Sequence, residues 1–460
     1  MPTASTPDLD ALRSRVRGTV VAPTDERYDA TRQLFLASYD RHPAVIVEVA
    51  DAADVAHAVA FARDSGLSLA VRSGGHGAGG FASVDGGLVI DLRQLRSIDI
   101  ALDDRTVWAG AGVTAAELTA ATVDHGLATG FGDTGSVGIS GITLGGGVGY
   151  LSRKHGLTID SLLGAELVTA DGQVLEVDAD HHPDLFWAIR GGGGNFGVVT
   201  RLRYRLHDVS GFTGGMLMLP ATPETLTGFV TLADAAPEGL STILNVMPCP
   251  PMPFVPEQHH GSLVLLAMVA WTGPADEGAR VLAPFRALAQ PLVDMVSEQP
   301  YTGMYPPEDT SYRPMAVQRT LFLDHVDEAM ASLILERLAD SDAPMRAVQL
   351  RVLGGAIARM ADDATAYAHR SSRIMAVVVS FHGPDDLPRR EQWVTSLVDR
   401  LRQGDDGAYV NFLMDQGPAG VRAAYPPATY ERLAVVKATW DPTNLFRSNQ
   451  NIPPSSRTAG

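Results

Sequence analysis

The chain of 460 residues holds a single cysteine, Cys249. No intrachain disulfide can form, so burial and hydrogen bonding must hold the fold, and a reducing compartment is expected. Positive charge is scarce: 36 Lys and Arg stand against 53 Asp and Glu, a formal net charge of −17. Nucleic acid and anionic membrane surfaces need a basic footprint, so neither is expected as a partner. No apolar run reaches the roughly 18 residues of a membrane span. The opening "MPTASTPDLDALRSRVRG" carries no apolar core of signal-peptide length, which leads to the expectation of a cytoplasmic protein. There is no G-x-x-x-x-G-K-[ST] phosphate loop, no G-x-S-x-G nucleophile elbow, and no internal repeat. No His, Cys and carboxylate cluster has metal-ligand spacing. The adjacent pairs His181–His182 and His259–His260 cannot face one ion from a regular element, so no metal is expected.

Glycine is abundant, with 46 residues, and it is clustered. "VRSGGHGAGG" (71–80) surrounds one imidazole with five glycines. "GDTGSVGISGITLGGGVGYLSRKHGLTID" (132–160) is a second block, and "RGGGGNFGVV" (190–199) a third. Gly75-x-Gly77-x-x-Gly80 and Gly192-x-Gly194-x-x-Gly197 both match G-x-G-x-x-G. A dinucleotide fold needs a long helix after that turn, with its N-terminus on the pyrophosphate. Here both turns run into strand-like stretches, "LVIDL" (88–92) and "VVTRLRYRL" (198–206). The Rossmann context fails twice. Glycine loops without that helix can still bind phosphates through successive backbone N–H groups. Three of them suggest a large extended cofactor.

Periodicity orders the rest. "AVIVEVA" (44–50) reads as a strand, and 51–66 as a helix with Val55, Ala58, Val59 and Ala62 on one face. Strands follow at 67–72, 88–92 and 105–112, and a helix at 114–126 ends on Gly126. "AELVTADGQVLEVD" (165–178) reads as two strands about an Asp-Gly turn. A mixed region with fewer glycines runs from about 207 to 405. "TYERLAVVKATWDPTNLFRSNQNIPP" (429–454) reads as an amphipathic helix and an extended polar tail.

Four of these motifs, in order, resemble the berberine-bridge-enzyme-like flavoproteins of the vanillyl-alcohol-oxidase superfamily. They are "VRSGGHGAGG…DGGLVIDL", "GISGITLGGGVGYLSRKHGLTID", "LFWAIRGGGGNFGVV" and "YERLAVVKATWDPTNLFRSNQNIPP". The resemblance is strong over about 40–205 and 405–455 and weak between. It implies an α+β fold: a two-lobed FAD-binding domain of the vanillyl-alcohol-oxidase (PCMH) type, plus an α+β substrate domain with an antiparallel sheet. The implied boundaries are 1–206 and 405–460 for FAD and 207–404 for substrate.

The resemblance also implies site residues. His76 would carry FAD through its 8α-methyl group. Thr134 stands where some relatives have a second, cysteinyl attachment, so a single covalent link is expected. Val137 occupies a position that, in relatives, goes with reaction with dioxygen when it is valine. Arg72, Ser73, Gly74, Gly75 and Gly77 would cradle pyrophosphate. Gly138, Ser140, Gly141, Gly145 and Gly149 belong to the second loop, and Gly197 and Val198 to the adenine end. Tyr409, Asn411, Asn449 and Asn451 match residues near the isoalloxazine or ribityl chain.

The expected reaction is oxidation of a small organic molecule, with dioxygen as acceptor and hydrogen peroxide as product. A flavin dehydrogenase with another acceptor and a flavin-binding protein without turnover stay open. So do a monomer and a homodimer. Many plant relatives use a tyrosine base where this chain has Phe412, and a phenyl ring cannot take a proton. Tyr150, Gln349 and Arg351 are the catalytic candidates. Gln349 and Arg351 share a strand face by spacing. Arg351 cannot be a base, but it could hold an anionic oxygen.

Overall fold

A computed structural model describes residues 8–309 and 311–456. The first sheet has four strands, ordered Thr19–Val21, Val45–Glu48, Leu88–Asp91, Leu69–Arg72. The last three run parallel, and Thr19–Val21 pairs antiparallel at the edge. Val45–Glu48 and Leu88–Asp91 are buried at every position. Such strands are covered on both faces, which is why they read as unbroken apolar runs rather than alternating ones. Helix Ala52–Ser65 is one cover. Asp51 caps its start by accepting from the Asp54 N–H, and Gly66 ends it at φ +66°. Val55, Ala58, Val59 and Ala62 are fully buried beneath it.

A second, antiparallel sheet is ordered Ile98–Ala101, Thr106–Gly110, Val198–Arg205, Leu162–Val168, Val174–Asp178. Helix Ala115–Val123 lies nearby, held by a capping box between Thr114 and Glu117. Both glycine turns that match G-x-G-x-x-G lead to strands, Leu88–Asp91 and Val198–Arg205, as their flanking patterns predict.

The middle of the chain forms one antiparallel sheet of eight strands. Its main order is Val293–Asp294, Phe212–Pro220, Leu263–Thr272, Leu240–Pro248, Arg346–Val352, Ile374–Phe381, Ala316–Leu323, with Ser297–Glu298 also on Phe212–Pro220. Helices Pro223–Ala235, Ala275–Arg286, Glu328–Ala339 and Leu387–Leu401 close one face over Leu244, Val246, Val348, Leu350, Ala376 and Val378. Strand alternation then turns Asn245, Gln349, Arg351, Val377 and Val379 to the opposite face. That face looks back at the glycine loops.

The C-terminal helix Pro427–Trp440 and its tail pack onto the first lobe. Lys437 is fully buried. Its Nζ donates to Asp441 Oδ2 at 2.6 Å and to the carbonyls of Asn195 and Phe446. Removing one partner of such a pair typically costs about 3–5 kcal/mol, because the other charge is stranded. Asn195 adds two bonds to the tail, to Gln450 O and from Ile452 N. The third glycine loop is thereby tied to a segment some 255 residues away.

Candidate active site

The loops and the free sheet face enclose a cavity of about 510 Å³. Its backbone side is made by Ser73–Gly79, Gly132–Thr134, Val137–Gly138, Ser140–Ile142, Leu144–Gly145, Gly192–Asn195 and Gly197–Val199. Asn245, Gln318, Gln349, Arg351, Val377 and Val379 form the other wall. Tyr409–Leu413 and Phe446 with Ser448–Gln450 close the sides.

Glycine has three different reasons here. Gly74 and Gly138 are needed because two loops touch. A Cβ on Gly74 would lie 2.3 Å from Gly138 N, and one on Gly138 would lie 2.1 Å from Ser73 Oγ. Gly75, at φ +74°, is needed for its backbone conformation. Gly77, Gly141 and Gly194 have neither reason. Their φ values are ordinary, and a Cβ would meet no protein atom within 4 Å. Gly141 even lies in a helix, Ile139–Leu144, where glycine is disfavoured by about 1 kcal/mol against alanine. What such glycines leave room for is not protein. Asn449 points the same way: its Nδ2 donates to Gly194 O and Phe446 O, while its buried Oδ1 has no protein partner. The cavity therefore fits a large group that takes backbone N–H donors on one side and a side-chain acceptor or donor on the other.

Of the residues singled out from the sequence, His76, Ser73, Gly74, Gly75, Gly77, Thr134, Val137, Gly138, Ser140, Gly141, Gly145, Gly197, Val198, Gln349, Arg351, Tyr409, Asn411 and Asn449 line this cavity. Four do not. Arg72 lies under the first loop, 1% exposed, with its Nη2 on Asp91 Oδ2 at 2.6 Å. The two are cross-strand partners, so the guanidinium neutralises a buried carboxylate and is not free to cradle phosphate. Gly149 is a packing glycine, since a Cβ would overlap Phe131 O at 1.4 Å. Tyr150 is buried beside Tyr305 behind the wall. Burial, and then the charge of Asp133, push its phenol well above the ordinary tyrosine range, so it is a hydrogen-bond donor and a poor proton acceptor. Asn451 stands outside the lining, though its Oδ1 is also buried and unpartnered.

His76 sits where the first two loops meet. Its ring stacks on Phe35 at 4.4 Å and its Nε2 lies 3.2 Å from Ser136 Oγ. Burial lowers its proton affinity, opposed in part by the charge of Glu308, so the imidazole is neutral at pH 7.

On the sheet wall, Arg351 is committed on three sides. It donates to Asp133 Oδ2 at 2.6 Å, Gln349 Oε1 at 2.9 Å and Val148 O at 2.8 Å, and its cation faces the Phe412 ring at 5.0 Å. Gln349 in turn donates to Asn245 Oδ1 at 3.0 Å. Tyr409 is held by Gly147 N and Asn411 Nδ2, both donating to its phenolic oxygen at 2.8 Å. Three wall residues escaped the sequence reading. Asn245 and Gln318 were findable as amide side chains within largely apolar strands, "STILNVMP" and "AVQRTLFL". Asp133 carried no such signal: it sits in a loop, and only folding brings it to Arg351, 218 residues away.

Known proteins give these features a family. Residues 43–178 match the FAD binding domain family, and residues 408–453 match the berberine and berberine-like family. (R)-6-hydroxynicotine oxidase of Paenarthrobacter nicotinovorans is 31% identical, over 95% of this chain and 97% of its own. An FAD-linked oxidoreductase of Dictyostelium discoideum is 30% identical over 90% of this chain and 89% of its own. The crystal structure of 6-hydroxy-D-nicotine oxidase from Arthrobacter nicotinovorans superposes with a TM-score of 0.84 at 28% identity, covering 96% of this chain and 98% of that one. Physcomitrella patens BBE-like 1 shares the fold at a TM-score of 0.87 and 23% identity, over 98% and 100%. With the glycine cradle and the polar sheet wall facing each other across one cavity, the chain belongs to the berberine-bridge-enzyme-like family and is an FAD-dependent oxidoreductase.

Proposed function

We propose that the protein is an oxidase that carries FAD on His76 by a single covalent bond and oxidises a small, neutral, hydroxyl- or amine-bearing molecule. The cavity carries this reading: backbone lines one side, polar side chains line the other, and one neutral imidazole stands at the seam. When bound, FAD supplies the redox chemistry, taking a hydride equivalent from a substrate C–H and returning the electrons to dioxygen as hydrogen peroxide. Thr134 has no sulfur for a second attachment, and Val137 lines the cavity beside it.

The remaining work falls to the sheet wall. Oxidising an alcohol or a protonated amine requires a proton acceptor within hydrogen-bond reach. Asp133 is the carboxylate among the described lining residues, and Phe412 cannot serve. Arg351 holds Asp133 Oδ2 in place, and Oδ1 is left with only a long contact from Thr134. Asp133 thus takes the substrate proton, and Gln349, Asn245 and Gln318 orient the substrate. Arg351 and Asp133 cancel in charge, so the wall favours a neutral substrate over an anionic one.

Acid precipitation of the purified holoprotein tests the first part, with His76→Ala beside it. Yellow colour in the pellet and flavin fluorescence on a denaturing gel are expected for the wild type alone. Flavin released wholly to the supernatant refutes covalent attachment. Oxygen uptake with peroxide formation, on a panel of neutral alcohols and amines that bleach the flavin, tests the oxidase reading. Bleaching that only an artificial acceptor reverses refutes it.

A further inference from the structure

The imidazole at the seam is not isolated. Ser136 Oγ lies 3.2 Å from His76 Nε2, and 2.5 Å from Glu308 Oε2 on its other side. Glu308 comes from the segment after Tyr301–Met304, which follows the edge strands of the eight-stranded sheet, so the second lobe reaches across to the first loop's neighbour. Its Oε1 also accepts from Gly135 N at 2.7 Å and Ser136 N at 3.1 Å.

The polarity of this chain follows from proton inventory. An ionised carboxylate only accepts, so Ser136 must give its one proton to Glu308. Toward His76 the hydroxyl oxygen then accepts. Nε2 therefore carries the imidazole hydrogen, and Nδ1 carries the lone pair. The bond to Ser136 is the ring's one hydrogen bond among the described residues, and stacking on Phe35 fixes the ring plane. Glu308 is exposed, so a proton that reaches it passes to solvent.

We propose that Ser136 and Glu308 are positioning residues for the attachment of FAD to His76: they hold the reactive tautomer and drain the Nε2 proton as the bond forms. This rests on the covalent link proposed above. In the net step Nδ1 bonds to the 8α carbon. One methyl C–H and the imidazole N–H are lost. The Nε2 proton moves to Ser136 as the Ser136 proton moves to Glu308. Two electrons and two protons in total pass to dioxygen, which leaves as hydrogen peroxide, and FAD ends oxidised. E308Q keeps an acceptor oxygen for the loop amides but is a far weaker base than a carboxylate. S136A cuts the chain, and S136T restores the hydroxyl.

The test is the rate of attachment, not turnover. Apoprotein made under riboflavin depletion is mixed with FAD in air, and acid-stable flavin is followed with time between about pH 5 and pH 8. S136A and E308Q should bind FAD yet attach it at least ten-fold more slowly, with S136T near wild type. Equal rates in wild type, S136A and E308Q overturn the relay while leaving the covalent link standing. Absence of acid-stable flavin in the wild type overturns the link itself, and the relay with it. If E308Q fails to fold, slow attachment in S136A with recovery in S136T supports the relay, and wild-type attachment in S136A overturns it.

Discussion

Gly141→Ala should stabilise the apoprotein and weaken its hold on FAD, two effects of opposite sign from one methyl group. The new Cβ meets no protein atom within 4 Å, and the residue lies in helix Ile139–Leu144 at an ordinary φ. Helix propensity and the reduced freedom of the unfolded chain then favour alanine by about 0.5–1 kcal/mol. In the holoprotein the same methyl enters space that the cofactor needs. Overpacking of that kind costs about 1–3 kcal/mol, or a roughly 5- to 150-fold weaker Kd. A covalent bond would mask the loss, so affinity is measured by FAD titration in a His76→Ala background. Urea unfolding of the apoprotein gives the other half. Gly145→Ala, one helical turn on, is the control. Its Cβ would lie 1.9 Å from Asn411 Oδ1, and Asn411 is held by Ile142 O and Tyr409. That change should destabilise the apoprotein by about 1–3 kcal/mol. Unchanged FAD affinity in Gly141→Ala, or a destabilised apoprotein, would refute the argument that this glycine is kept for a ligand.

Two other perturbations probe the site and the frame around it. Asp133→Asn should lower kcat by about 10²–10⁴, the usual worth of a positioned proton acceptor, with the flavin spectrum unchanged; activity within three-fold of wild type rules Asp133 out. His155 and His207 stack at 4.1 Å; burial, then His207 and Lys154, lower the pKa of His155 to about 3, and burial, then Arg205 and Lys154, lower that of His207 to about 4. Their unfolded-state value is near 6.5, so the unfolded chain binds more protons as pH falls. The stability they contribute is complete above pH 6.5 and is lost on the way down, to about pH 4 for His207 and about pH 3 for His155. Between pH 7 and pH 5 the loss should be about 2 kcal/mol once partial solvent screening is allowed for. Urea midpoints against pH would show it, and His155→Asn with His207→Gln should flatten the slope; an unaltered slope removes these histidines as its cause.

Much of the local structure was legible because it is set by neighbours in sequence. Helix Ala52–Ser65 falls where its apolar spacing predicts, and helix Ala115–Val123 falls within the predicted 114–126, ending three residues before Gly126. The failure of both G-x-G-x-x-G matches as Rossmann turns was legible for the same reason, since the following residues are strand formers. Arg72 misled because its place in the motif could not reveal Asp91, its partner in a strand 19 residues on. Tyr150 misled because adjacency to a glycine loop does not say on which side of the loop a ring lies.

The sequence by itself determined the class of the cofactor-binding half, through four glycine-rich or C-terminal motifs in order, and it placed Gln349 and Arg351 on one strand face. Only the tertiary structure decided which groups meet. Asp133 reaches Arg351, Glu308 reaches Ser136, and Asn195 reaches the C-terminal tail, across 218, 172 and 255 residues respectively. Helix and strand periods encode contacts a few residues apart. Contacts this distant depend on how two lobes dock, and no local pattern records that. The chemistry of this site is built from those distant contacts.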